Sequence, residues 1–218
     1  LLAGLPAPQL VEEPVAAATY YGLAESRKEQ TIFVYDLGGG TFDVTLLQAS
    51  PKGLYVLATD GSIDVGGKKI DETIMQVVVE DFRCAHGTDP RKEPSAEIQL
   101  RRFAEKVKIQ LGKPGRGQVA QAILLCGKPY EFLMTRSQFE KLVAPLVEET
   151  IRVCNRCLAG ASLGWSAVDK VLLAGGSTLI PFVQQRVRKE ADKPGDQVYT
   201  QQPHQAVAYG AAVIAGRA

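Results

Sequence analysis

Two β-branched and aromatic runs, Thr31-Ile-Phe-Val-Tyr-Asp36 and Thr41-Phe-Asp-Val-Thr-Leu-Leu47, are separated only by Leu37 and the triplet Gly38-Gly39-Gly40. Runs of this kind are strands, and so short a glycine-rich break between them closes a hairpin. Pro51-Lys52-Gly53 turns the chain again into Leu54-Tyr-Val-Leu-Ala-Thr59, so the first third reads as a three-stranded meander. The triplet also constrains chemistry, because without Cβ atoms successive N–H groups can approach an anion closely. Asp36 at the strand end suits a hydrated magnesium ion, which takes one or two protein carboxylates and keeps several waters. The plain alternative is a hairpin with a capping aspartate and no ligand; the flanking Asp36, Thr41 and Asp43 shift the weight toward a phosphate cradle.

Upstream, Glu13-Pro14 opens and Gly22 closes a short helix, with the proline biasing Glu13 toward an extended backbone. Polar residues 26–30 link it onward. Ile70, Ile74, Val77, Val78 and Phe82 recur at helical spacing and start a helix near Ile70. Leu100, Phe103, Ala104, Val107 and Leu111 mark another over 95–111, stopped by Gly112-Lys113-Pro114-Gly115. Residues 118–126 and 130–134 flank Gly127-Lys128-Pro129 as a second hairpin. Thr135 and Gln138 form a capping box for a long helix ending near Ala159-Gly160, with Pro145 imposing a kink or a late start.

The last third alternates: strand 168–174, Gly175-Gly176-Ser177-Thr178, helix 181–191, strand 197–200, helix 203–215. That order implies parallel βαβ pairing. The fold class is α/β: a core made of 1–66 and 144–218, interrupted by an inserted α+β subdomain over 67–143.

Leu172-Leu173-Ala174 runs straight into Gly175, Gly176 and Ser177, a strand-to-helix turn that favours a phosphate or ribose beside free N–H groups. A bland turn is the competing account for this segment alone. Two such turns on separate strands suggest a nucleotide held between the strands' carboxyl ends. Helix-end electrostatics is the simpler reading of Glu13 taken by itself.

Charge excludes other classes. The 25 Lys and Arg against 24 Asp and Glu give a formal net charge of +1, so nothing marks an electrostatic nucleic-acid binder. No window approaches the roughly 18 apolar residues of a membrane span, and Leu1-Leu2-Ala3-Gly4-Leu5-Pro6 has no basic leader region, so a cytoplasmic protein is expected. The missing initiator Met suggests a fragment. Cys154-x-x-Cys157 could be half a zinc site or a redox pair, but Cys84 and Cys126 stand apart and Cys154 shares the apolar spacing of Phe139, Leu142, Val143, Leu146, Val147 and Ile151. Buried or surface thiols are the expected outcome.

Glu13-Pro14-x-Ala-Ala-Ala, Tyr35-Asp36-Leu-Gly-Gly-Gly-Thr-Phe-Asp43, Val65-Gly66-Gly67, Ala104-Glu105-Lys106-Val107-Lys108-Ile109, Gly175-Gly176-Ser177-Thr178-x-Ile180-Pro181 and Ala206-Val207-Ala208-Tyr209-Gly210-Ala211-Ala212 resemble the DnaK-type seventy-kilodalton heat-shock chaperone family. The resemblance runs along nearly the whole chain. It implies an actin-like, ribonuclease H-like ATPase fold, of which this chain is the C-terminal lobe. ATP or ADP and Mg2+ are the implied cofactors, with K+ beside them.

By the same resemblance Glu13 and Asp36 position the attacking water and the hydrated magnesium. Gly38, Gly39, Gly40 and Thr41 hold the β- and γ-phosphates, Thr41 as a catalytic group. Asp43 supports the loop and a monovalent cation. Gly67, Gly175, Gly176 and Ser177 line the phosphate and ribose; Glu105 and Lys108 reach the ribose hydroxyls; Ile180 and Gly112 meet the adenine. An Asp and a catalytic Lys come from the family's first lobe, so the isolated chain is expected to hydrolyse ATP weakly or not at all.

Implied partners are that first ATPase lobe, a peptide-binding domain in the same full-length chain, unfolded client peptides through it, and a nucleotide-exchange factor; nucleic acid and membrane are not expected. Gln9 replaces an Arg that DnaK uses with its J-domain co-chaperone, which weakens the case for J-domain coupling. Leu179 stands where the family has an Arg against the adenine, Gly112 replaces a Ser, His204 an Asp, and Lys68 a Glu. His204 reads equally as a surface residue before a helix. Two rivals stay open: another actin-like ATPase such as a sugar kinase or filament protein, and a degenerate lobe that binds nucleotide or a partner without turnover.

Overall fold

The computed structural model describes residues 9–23 and 28–216. The N-terminal Leu1-to-Pro6 stretch and residues 26–27 of the polar link lie outside the described residues. In chain order the first elements are helix α1 (Glu13–Tyr20) and strands β1 (Gln30–Leu37), β2 (Phe42–Ser50) and β3 (Gly53–Ser62). Then come α2 (Gly67–His86), α3 (Pro94–Leu111), the hairpin β4 (Gln118–Leu125) and β5 (Lys128–Thr135), and the long α4 (Arg136–Gly160). Strand β6 (Lys170–Ala174), α5 (Pro181–Ala191), β7 (Val198–Tyr199) and α6 (Ala206–Ala215) complete it.

The main sheet has the order β3-β2-β1-β6-β7. The meander supplies its antiparallel half, with Asp36 opposite Asp43. The alternating last third supplies the parallel half, with Asp36 beside Ala174 in the β1–β6 pair and Val171 beside Val198 in the β6–β7 pair. Strand β1 is therefore central, and alternate residues point to opposite faces. Phe33, Tyr35 and Leu37 face the larger core with α2 and α4, whereas Ile32 and Val34 face a smaller one with Ala18, Leu23 and Leu172. The Tyr35 hydroxyl reaches the Thr150 hydroxyl at 2.7 Å, tying the sheet's centre to α4. Strands β4 and β5 form a separate two-stranded sheet.

Several element ends differ from the pattern-based expectations. Glu13 is already helical, and the extended residue is Glu12; a proline within the first turn is tolerated because its missing N–H has no helical partner there. Helix α2 begins at Gly67, ahead of Ile70, with no side-chain cap. Its first N–H groups bond to the glycine loop instead, Gly67 to the Gly38 carbonyl at 2.9 Å and Lys68 to the Gly39 carbonyl at 2.7 Å. Helix α4 runs unbroken through Pro145, which is exposed, so the carbonyl left without its N–H partner can reach water. The capping box at its start is present, with Gln138 N–H on the Thr135 hydroxyl at 3.2 Å and the Thr135 N–H on the Gln138 carbonyl at 2.8 Å.

Helix α6 starts at Ala206, not 203, because Pro203 is used in a turn whose carbonyl accepts the Gly175 N–H at 2.9 Å. His204 is exposed ahead of it. Cys154 and Cys157 are buried in the core; burial pushes the Cys157 thiol up to about 11, so it stays protonated at neutral pH.

Candidate functional site

The carboxyl ends of the neighbouring parallel strands β1 and β6 deliver Gly38-Gly39-Gly40 and Gly175-Gly176 side by side. Gly175 has φ +81°, and a Cβ there would run into the Leu37 carbonyl and come 2.5 Å from Asp36 Oδ1. Only glycine fits that conformation and that approach. Gly66 is excluded from change in a different way: its Cβ would lie 2.7 Å from the Gly40 carbonyl carbon. By contrast Gly39 and Gly40 have neither a left-handed φ nor any atom within 4 Å of a built Cβ. Nothing in the fold requires glycine at these two positions, and what their missing side chains leave is open space for a ligand beside the backbone.

Ser177, at the start of the 3-10 turn Gly176–Leu179, donates its hydroxyl to the Gly38 carbonyl at 3.2 Å. Lys108 on α3 donates to the Gly67 carbonyl at 3.1 Å and pairs with Asp71 at 2.8 Å, both side chains largely buried. Glycine loop, α2 start, α3 and the β6 turn are thus locked into one assembly. A cleft of about 950 Å3 opens beside it, at the upper end of the usual size for a small-molecule site. Of the residues predicted from sequence, Gly39, Glu105, Lys108, Gly112, Gly176, Ser177 and Ile180 line this cleft. Lys108 is not a free cation there, since Asp71 and the Gly67 carbonyl already hold its ammonium. Leu179 is 45% exposed at the cleft wall.

Sequence reasoning missed the polar side chains of the wall: Lys113, Arg136, Glu140, Gln184, Gln185 and Arg188. They come from α4, α5 and the loop after α3, and only the tertiary fold gathers them.

Two of the predicted carboxylates, Glu13 and Asp43, lie outside this cleft. Glu13 and Asp43 line an open groove of about 690 Å3 with Asp60, and the exposed Thr41 hydroxyl donates to Asp43 at 2.9 Å. Asp36 pairs with Asp43 across the β1–β2 ladder, and its carboxylate lies close against Gly175. Burial first, then the Glu13 and Asp43 charges, push its carboxyl up to about 6. A partly buried carboxylate held against two others is a place where a cation would be favourable. Among the described residues no three His, Cys, Asp or Glu side chains gather closely enough to hold a metal directly. That donor set fits a magnesium ion that keeps most of its waters and leans on one or two carboxylates.

Among the described residues no helix is long and apolar enough to cross a membrane. The Hsp70 protein family model matches residues 1–217. With a match across almost the entire sequence, the chain belongs to the Hsp70 protein family of ATP-binding molecular chaperones.

Proposed function

We propose that this chain is the second lobe of a chaperone's ATPase domain, built as a core of 1–66 and 144–218 with an inserted unit over 67–143. In the full-length protein it binds and hydrolyses Mg-ATP to control a peptide-binding domain. The observation that carries this reading is the open backbone at Gly39 and Gly40, with Gly39 lining the cleft and Asp36 at the end of the strand that leads into the loop. A triphosphate laid across that loop has its nucleoside in the cleft and its terminal phosphate toward Asp36, Glu13 and Asp43.

Phosphoryl transfer needs positioning and charge neutralisation more than covalent chemistry. Gly38, Gly39, Gly40 and Thr41 hold the β- and γ-phosphates, and Gly67, Gly175, Gly176 and Ser177 the phosphate and ribose. Magnesium, when bound, neutralises phosphate charge. Asp36 and Glu13 would hold it through water and would orient the attacking water, while Asp43, which accepts the Thr41 hydroxyl, would support a potassium ion. Glu105 and Lys108 face the ribose, Ile180 and Gly112 the base. The first lobe supplies the remaining cation and carboxylate, so turnover belongs to the full-length chain in the cytoplasm. Client peptides and a nucleotide-exchange factor act on it there.

Peptide-stimulated ATPase activity of the full-length protein tests this. Stimulation by unfolded peptide supports the chaperone reading. Turnover that ignores peptide and responds to a sugar or to filament assembly would replace it with another actin-like ATPase.

A further inference from the structure

Lys108 comes to the cleft from α3 with its ammonium already held. It donates to the Gly67 carbonyl at 3.1 Å and to Asp71 Oδ2 at 2.8 Å. Gly67 and Asp71 are four residues apart at the start of α2, so one face of its first turn offers both acceptors. The point where a Gly67 Cβ would stand lies 3.2 Å from the Lys108 nitrogen and 2.7 Å from the Ser177 hydroxyl. The ammonium is therefore fixed where α2, α3 and the turn after β6 meet.

Asp71 is the member of this group that stability does not account for. Its side chain is 15% exposed and that of Lys108 13%, so both charges lose much of their hydration. Asp71 Oδ1 is closed to solvent and has no hydrogen-bond partner among the described residues. Burial raises the Asp71 carboxyl in spite of the bond from Lys108, and the Glu105 and Glu72 charges add to the rise. A buried ion pair with one oxygen left over is poor support for a fold, because desolvation offsets its attraction. Asp71 does not line the cleft either, whereas Lys108 does, so its effect on a ligand passes through Lys108.

That effect has two parts. A lysine on a flexible four-carbon stem gives up rotamer freedom when it meets a ligand, and a carboxylate that holds it beforehand removes that cost from binding. The carboxylate also offsets the ammonium's charge. An ammonium has three donors; two are taken within the protein, which leaves one for a group in the cleft. With Asp71 and Glu105 both set against one Lys108, this end of the cleft is net negative and favours an uncharged hydroxyl over another phosphate.

We propose that Asp71 is a positioning residue, which holds and neutralises the Lys108 ammonium so that its remaining N–H donates to a sugar hydroxyl of the nucleotide. The inference rests on the nucleotide reading of the cleft.

The test is calorimetric binding of ADP and of 2′,3′-dideoxy-ADP, with magnesium, to the full-length protein and to its Asp71→Asn, Asp71→Ala and Lys108→Met variants. The parent should bind ADP about tenfold more tightly than the dideoxy analogue, the worth of one hydrogen bond from a charged donor. Lys108→Met should close that gap. Asp71→Ala should nearly close it, and Asp71→Asn, which keeps an acceptor without the charge, should narrow it to about threefold. Dideoxy-ADP should bind all four proteins alike. The double variant Asp71→Leu with Lys108→Met removes both charges together, so it tests the same gap without an uncompensated buried group, and it should show none. An undiminished gap in the Asp71 variants would overturn the proposal. So would equal weakening of ADP and dideoxy-ADP, which is what a merely structural role produces, or ADP binding by the parent with no gap at all. No binding of ADP by the parent would overturn both this inference and the nucleotide reading beneath it.

Discussion

Replacing Asp36 by Asn removes a charge from the one carboxyl that the fold holds most unfavourably among its site groups. Its folded value, about 6 against an ordinary 3.8, means that the native state keeps a proton the unfolded chain has already lost between those two pH values. The sign follows: stability associated with this group is fully present below about pH 4 and is lost as the pH rises through about 6. A displacement of about two pH units corresponds to about 3 kcal/mol, or about 6 to 12 °C in melting temperature for a chain of this size. The assay is a paired thermal melt of wild type and Asp36→Asn from pH 4 to pH 8. Near pH 4 the neutral carboxyl and the amide are alike and the two curves should nearly coincide. By pH 8 Asp36→Asn should be the more stable protein by that margin. Other carboxylates, such as Asp60 and Glu148, are held low by Arg156 and Arg186, and they cancel in the difference. A gap that does not change with pH, or a variant less stable at pH 8, would refute the reasoning.

Two further substitutions probe different links. Gly210 lies inside α6, where Ala should help by about 1 kcal/mol, yet its Cβ would fall within the Ala16 carbonyl group and 3.0 Å from the Ala16 Cα on α1. Gly210→Ala should therefore destabilise by about 1 to 3 kcal/mol in a denaturant titration, and because α1 carries Glu13 it should also slow turnover in the full-length protein; a stabilised variant would show that α1 and α6 are not so tightly apposed. Leu179→Arg places a cation at the exposed cleft wall, and in the full-length protein it should tighten ATP about threefold to thirtyfold through stacking on the base; an unchanged dissociation constant counts against that wall as the base subsite.

Much of this site could be read in the chain because its chemistry is local. A glycine triplet between two strands, an Asp at a strand end and a second glycine turn before a helix are contiguous signals, and the sheet places both turns side by side. The capping box at Thr135 was equally legible, since both of its hydrogen bonds lie within four residues. What failed to show is non-local. The start of α2 at Gly67 depends on carbonyls of Gly38 and Gly39, far upstream, taking the place of a capping side chain. Pro145 reads as a kink or a late helix start until its exposure on α4 is known. The Lys108–Asp71 pair and the Arg136, Glu140 and Arg188 wall join elements whose proximity no spacing rule contains. Gly39 and Gly40 differ from Gly66 and Gly175 only in their surroundings: two glycines face open space and two are pinned by neighbouring backbone.

The central claim is that the chain forms one half of a nucleotide clamp. Isothermal titration of ATP and ADP, with magnesium, into the full-length protein and into this 218-residue chain in parallel tests it most directly. Binding by the full-length protein with little or none by the chain alone is the predicted result. No binding by either would contradict the account and turn the same cleft and acidic groove over to a partner-binding, non-hydrolysing lobe.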